Sequence, residues 1–281
     1  MAFVGKAQYS SFDSALTAAN GKESELVLLK DATYSNYIAV TGKLTLDLNG
    51  NKLSVTGQNS NVSVWVKENQ TLTIKDGAGS GELTSAHLFT VYSEGILNVY
   101  GGKISNTNVY YNGYGNADGE AVRIFNSGIG YVYGGIIESR GIGFNNLGKA
   151  HILGGSFKVV AGDYYSDAGI ANGGNLFIEG DVVTDGFYCS NDNDPPQAPE
   201  NMLPLFVTVK DGCTFTIQNS LVIYENEERG YLVKLSGNIL FSYNGNVKEV
   251  KIPATENDGG YNSGDTWPRP VGKCVYWTVD R

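Results

Sequence analysis

Cysteine is nearly missing from this chain, with three residues in 281. Cys189, Cys213 and Cys274 are odd in number and widely separated, which argues against a disulfide framework, and no pair has zinc-ligand spacing. Histidine is scarcer still: His87 and His151 are isolated, and His151 falls in a strand where an outward surface role is expected. Positive charge is short. Twenty Lys and Arg against 29 Asp and Glu leave a formal net charge of −9 with no basic patch, so nucleic acid is not an expected partner. No apolar run approaches the roughly 18 residues that cross a bilayer, so no membrane insertion is expected. Helical spacing is not sustained between positions 40 and 250, which disfavours helix-bearing repeats. Met1-Ala2-Phe3 leads directly into patterned sequence without a charged and then apolar leader, so no secretory signal is expected.

Glycine, by contrast, is abundant, with 37 residues, and a weak repeat organises it. Leu48-Asn49-Gly50-Asn51-Lys52-Leu53 aligns with Val99-Tyr100-Gly101-Gly102-Lys103-Ile104 and with Ile152-Leu153-Gly154-Gly155-Ser156-Phe157. The matched positions are 50, 76, 101, 134, 154, 180, 211 and 237, a spacing that marks a stacked repeat array. Before each turn the apolar residues alternate, as in Leu44, Leu46, Leu48 and in Leu72, Ile74, which reads as short strands. About 25 residues suffice for three strands and three bends. One such coil cannot bury its inward residues alone, whereas coils stacked roughly 4.8 Å apart satisfy every backbone group. The expected fold is all-β, a single-stranded right-handed parallel β-helix of about eight coils, roughly 40 Å long. A β-propeller is the main rival, but the copies lack a four-strand blade pattern. Gly-Gly at 101–102, 134–135 and 154–155 predicts positive φ at a recurring corner.

The ends depart from the repeat. Ser10 or Ser11 is placed to cap a helix running to about Asn20, with Phe12, Ala15, Leu16 and Ala19 on one face and Gly21 as a stop. The expected organisation is an N-terminal cap over 1–24, the β-helix over 25–252, with a last strand at Val247 to Ile252, and a tail over 253–281. The tail carries Pro253, Pro268, Pro270, Trp267 and Trp277 and reads as a small cap or attachment element.

Val4-Gly5-Lys6-Ala7-Gln8-Tyr9-Ser10-Ser11-Phe12 through Leu28-Leu29-Lys30-Asp31, then Leu44-Thr45-Leu46-Asp47-Leu48-Asn49-Gly50, resembles the opening of bacterial surface β-helix domains of the pectate-lyase-like superfamily; similar modules occur in phage appendages. The likeness covers about residues 3–105 and implies fold and external display more than activity. Catalytic members of that superfamily are expected to show a calcium-binding acidic cluster with an arginine base, or Asn-x-Asp, Asp-Asp and Gly-His-Gly signatures. None is present here, so the resemblance carries over no catalytic residue, cofactor or metal.

Long intervals must hold inserted loops, which often gather on one face. Asn108 to Glu120, Gly162 to Asp167 and Phe187 to Met202 each begin seven or eight residues after a matched turn, which predicts one shared lateral edge. Tyr110, Tyr111, Tyr114, Tyr164, Tyr165 and Tyr188 would line it, with Asp118, Glu120, Asp163, Asp167 and Asp192 nearby. Tyrosine faces stack on pyranose rings and carboxylates accept hydroxyl hydrogen bonds, so a glycan is the expected ligand. Asp192 and Asp194 imitate the start of a calcium loop, but Pro196 and Leu203 stand at ligand positions, so a plain turn is expected. The function these features suggest is a non-enzymatic adhesive or structural appendage, displayed on a virion surface as a decoration or fibre component. Capsid or other virion proteins are expected partners through the tail, with self-association as a further expectation. The alternatives are an adhesin-like module at a bacterial cell surface or secreted, and a polysaccharide lyase or glycoside hydrolase, whose paired acids would stand about 5–9.5 Å apart.

Overall fold

The computed structural model describes residues 1–108, 119–160, 168–190, 205–224, 233–243, 246–250 and 274–278. The repeat winds as a parallel β-helix with three strands to a turn. Thr71–Lys75, Glu82–Ser85 and Phe89–Ser93 make one winding, and Ile96–Val99 begins the next directly over Thr71–Lys75. Stacking of equivalent strands produces three faces. Face 1 holds nine parallel strands, from Glu23–Leu28 and Lys43–Asp47 to Leu205–Val209 and Val233–Ser236. Face 2 includes Lys52–Val55, Glu82–Ser85, Lys103–Asn106, Ile136–Ser139 and Ser156–Val159. Face 3 includes Val62–Val66, Phe89–Ser93, Glu120–Ile124, Ile142–Asn146 and Ala168–Asn172. This in-register parallel stacking excludes radial blades. Among the described residues nine face-1 strands stand against eight marked turns, because the first is followed by the turn Leu29-Lys30-Asp31, which has no glycine.

Alternation decides what points inward. On face 1 the register carries Leu46, Ile74, Val99, Val132, Ile152 and Ile178 in one buried file. A second file narrows to Gly130 and Ala150 where Phe144 enters from face 3; a Cβ on Gly130 would stand 3.3 Å from the Phe144 ring. Burying such a ring is worth about 1.5–3 kcal/mol, so a small residue opposite each large one keeps the interior filled. The corner glycines behave as predicted at the second member of each pair, with φ of +79° at Gly102, +92° at Gly135 and +110° at Gly155.

Polar side chains occupy the corners. Between faces 2 and 3, Ser63 and Ser85 share a 2.6 Å hydrogen bond, and the Asn106 amide donates to the His87 and Glu120 carbonyls at 2.8 and 3.0 Å. Between faces 3 and 1, the Asn146 amide donates to Asn172 Oδ1 at 2.8 Å and to the Asn175 carbonyl at 3.0 Å. These amides satisfy carbonyls that the bends remove from the ladder.

Both ends carry antiparallel strands. Ala2–Val4 pairs with Glu23–Leu28 on one side and Ala7–Tyr9 on the other. The helix Phe12–Ala19 starts at Ser11, whose hydroxyl accepts from Ser14 N at 3.1 Å, and it buries Phe12, Ala15, Leu16 and Ala19. At the far end Asn246–Glu249 folds back on Asn238–Tyr243, and Cys274–Thr278 returns to pair with the second half of Thr214–Tyr224. Unpaired strand edges invite further strands, and these strands cover the first edge of face 1 and the last edges of faces 2 and 3.

Candidate ligand-binding face

The described strands that flank the three inserted segments do not all meet at one corner of the stack. Residues 109–118 join Lys103–Asn106 to Glu120–Ile124, and 161–167 join Ser156–Val159 to Ala168–Asn172, so both connect face 2 to face 3. Residues 191–204 instead follow Val182–Ser190 and lead to Leu205–Val209, between faces 3 and 1. The reason is that Val182–Ser190 runs unbroken through the first corner, with a register shift between Thr184 and Gly186. Counting from Gly180 therefore arrives one corner later. Tyr110, Tyr111, Tyr114, Asp118, Asp163, Tyr164, Tyr165, Asp167 and Asp192 lie outside the described residues.

Glu120 and Tyr188 are described, and the structure puts both on face 3. The Glu120 side chain is only 7% exposed; it accepts from Arg123 Nε at 2.8 Å, from a second Arg123 nitrogen, and from the Asn145 amide at 3.1 Å. Tyr188 belongs to a strand, half-buried, opposite Ala171 and Val222. Continued across the stack, the same file holds Trp65, Tyr92, Arg123 and Asn145. It alternates with the inward file Val64, Val91, Val122, Phe144 and Ile170, so it faces out by strand periodicity, with Asn145 and Ala171, which stand between Arg123 and Tyr188, themselves buried.

Tyr92 is the centre of an aromatic cluster at one end of this file. Its ring centroid lies 6.4 Å from Trp65, 5.6 Å from Phe89 and 5.4 Å from Phe125. Trp65 Nε1 donates to Glu94 at 2.9 Å, and Lys67 sits 5.6 Å over the indole. The Arg123 guanidinium lies 4.4 Å over the Phe89 ring. Burial opposes the Arg123 cation, but the Glu120 carboxylate more than offsets it and holds its pKa above the usual value. Burial, and then the Glu94 charge, pushes the Tyr92 hydroxyl up to about 12. Half-buried aromatic rings, a fixed guanidinium and oriented carboxylates thus stand on backbone locked by the ladder. Sequence reasoning missed Trp65, Tyr92 and Arg123. Their signal was an aromatic or charged residue at the outward position of three successive face-3 strands.

Comparison with protein-family models, with curated proteins and with solved structures finds no match for this chain. The fold assignment therefore rests on the strand register. Among the described residues, no group of three or more His, Cys, Asp or Glu converges to hold a metal ion, and no helix is long and apolar enough to cross a membrane.

Proposed function

We propose that this chain is a non-enzymatic, externally displayed β-helix that binds surface glycans on face 3. The carrying observation is the outward file of Trp65, Tyr92, Arg123 and Tyr188. Aromatic side chains offer sugars a broad apolar surface with polar edges. A site preformed on stacked strands loses little freedom on binding. Arg123 and Glu94 supply charged hydrogen-bonding groups beside those rings. Glu120 already holds Arg123 and Asn145, which suits a carboxylate that orients a neighbour better than one that carries a proton. The segments 109–118 and 161–167 attach to face 3, which leaves their tyrosines as a further arm of the same reading.

Membership of the pectate-lyase-like superfamily is part of this proposal, supported by the opening motif through Gly50 and by the parallel stack. A virion decoration or fibre component is the setting it suits best, because antiparallel strands at both ends favour single display over end-to-end growth. An adhesin-like module at a bacterial surface would use the same face.

A glycan array tests the reading with wild type, Trp65→Ala with Tyr188→Ala, and Tyr110, Tyr111, Tyr164 and Tyr165→Ala. Wild type is expected to retain a defined glycan class, and the face-3 variant to bind it at least about tenfold more weakly. Binding of no glycan, or equal binding by all three proteins, would remove the proposal. Release of reducing ends or unsaturated products from a polysaccharide would replace it with an enzyme.

A further inference from the structure

Face 1 presents a separate outward surface that the glycan reading does not use. Of the ten large apolar side chains that stand exposed among the described residues, five lie here: Ile96, Tyr100, Tyr133, Leu153 and Phe206. Ile96 and Phe206 lie on the fourth and eighth of the nine strands, and Tyr100, Tyr133 and Leu153 directly follow the fourth, fifth and sixth. The Tyr100 and Tyr133 rings stack 4.3 Å apart and 1° from parallel, and His151 stacks between Tyr131 and Phe177 at 5.0 and 4.8 Å. Within these columns the ring faces cover one another, so the surface offers ring edges and aliphatic groups. That composition suits a flat protein partner better than a sugar ring.

Charge is segregated to the two ends of this face. Glu23, Glu25 and Asp47 outnumber Lys43 and Lys75 by one on the first three strands, where Lys43 pairs with Glu23 and Lys75 with both Glu25 and Asp47. Lys149, Lys210 and Lys234 outnumber Glu179 on the last four. The middle strand of the nine is Ile129–Val132. A two-fold axis lying in the face along that strand would exchange first with ninth, second with eighth and third with seventh, while keeping each residue in its own file. Glu23 would then meet Lys234, Asp47 would meet Lys210, and Lys75 would meet Glu179. In the same operation Tyr100 meets Leu153, and Tyr131 and Tyr133 each meet their own copies.

We infer that face 1 is the two-fold interface of a homodimer in which two β-helices lie antiparallel, centred on Tyr131 and Tyr133. An isologous contact requires a patch complementary to itself, and this operation brings three pairs of opposite charges together while Lys43 and Lys149 fall opposite Phe206 and Ile96, apolar groups that can cover their alkyl stems. The apolar centre with a charged rim matches the anatomy of a stable interface.

Sedimentation equilibrium or light scattering on the full chain tests this directly. The expected mass is twice the 30.1 kDa protomer. Tyr133→Glu places two carboxylates at the axis and is expected to give a monomer with unchanged far-UV circular dichroism. Asp47→Lys is expected to raise the dimer dissociation constant at least about tenfold, and adding Lys210→Asp to restore it, because each copy then again offers opposite charges. A monomeric wild type, a dimer indifferent to Tyr133→Glu, or failure of the second charge swap to rescue the first would each overturn the inference. None of these outcomes depends on whether a glycan binds face 3.

Discussion

At the scale of single residues, the corners are set by backbone freedom. Gly135 sits at φ +92°, and an added Cβ would stand 2.6 Å from the Gly102 carbonyl of the winding beneath. Gly135→Ala is expected to cost about 1–3 kcal/mol, because both the dihedral and the space refuse a side chain. Gly77 makes the control, since no atom comes within 4 Å of its added Cβ and its φ is not in the positive region; Gly77→Ala is expected to leave stability unchanged or slightly raised. Urea midpoints of the two variants decide it, and equal loss in both would refute the steric account. The glycine pairs themselves were legible in sequence, because a tight turn is a local demand. Which member of each pair takes the positive φ required the coordinates.

At the scale of elements, four aromatic rings from three face-3 windings share one cluster around Tyr92. Its hydroxyl titrates near 12 in the folded chain against an ordinary value of 10.0. A raised pKa in the native state means that the unfolded chain loses this proton first. The associated stability is therefore complete below pH 10 and disappears as pH rises towards 12. After allowance for solvent around the half-buried ring, the loss amounts to about 1 kcal/mol. Tyr92→Phe is expected to flatten that alkaline decline in thermal melts, and an identical decline in wild type and variant would show the cluster does not couple to this proton. Strand alternation carries the signal that Trp65, Tyr92 and Arg123 point the same way, although the sequence reading did not use it. Alternation does not show that they lie side by side, since that depends on the length of every corner between them.

Across the whole molecule, the fold is a stack whose ends need closing. Cys274–Thr278 runs antiparallel to Ser220–Tyr224 on face 3. A chain ending at residue 273 is expected to expose that edge, to aggregate with time in light scattering, and to lose about 2–4 °C of Tm per kcal/mol of pairing removed. A truncated chain as soluble and as heat-resistant as wild type would show that this strand contributes nothing to closure. The tail was expected to break the repeat; within it the described strand Cys274–Thr278 pairs antiparallel. That it returns to a strand some 50 positions earlier has no local signature, because antiparallel pairing at long range leaves no periodicity in the paired segments.

The sequence by itself determined the winding, the inward files and the capped N-terminal helix. Alternation, glycine corners and an N-cap serine act within a few residues, so their effects can be read without neighbours. Only the tertiary structure decided which faces the insertions join, that Glu120 is engaged by Arg123 and Asn145, and that Trp65 and Tyr188 share one file. Neighbours across a stack are set by accumulated register, and one strand that runs through its corner, Val182–Ser190, puts the next break between strands one corner later, while Leu205–Val209 still returns to face 1.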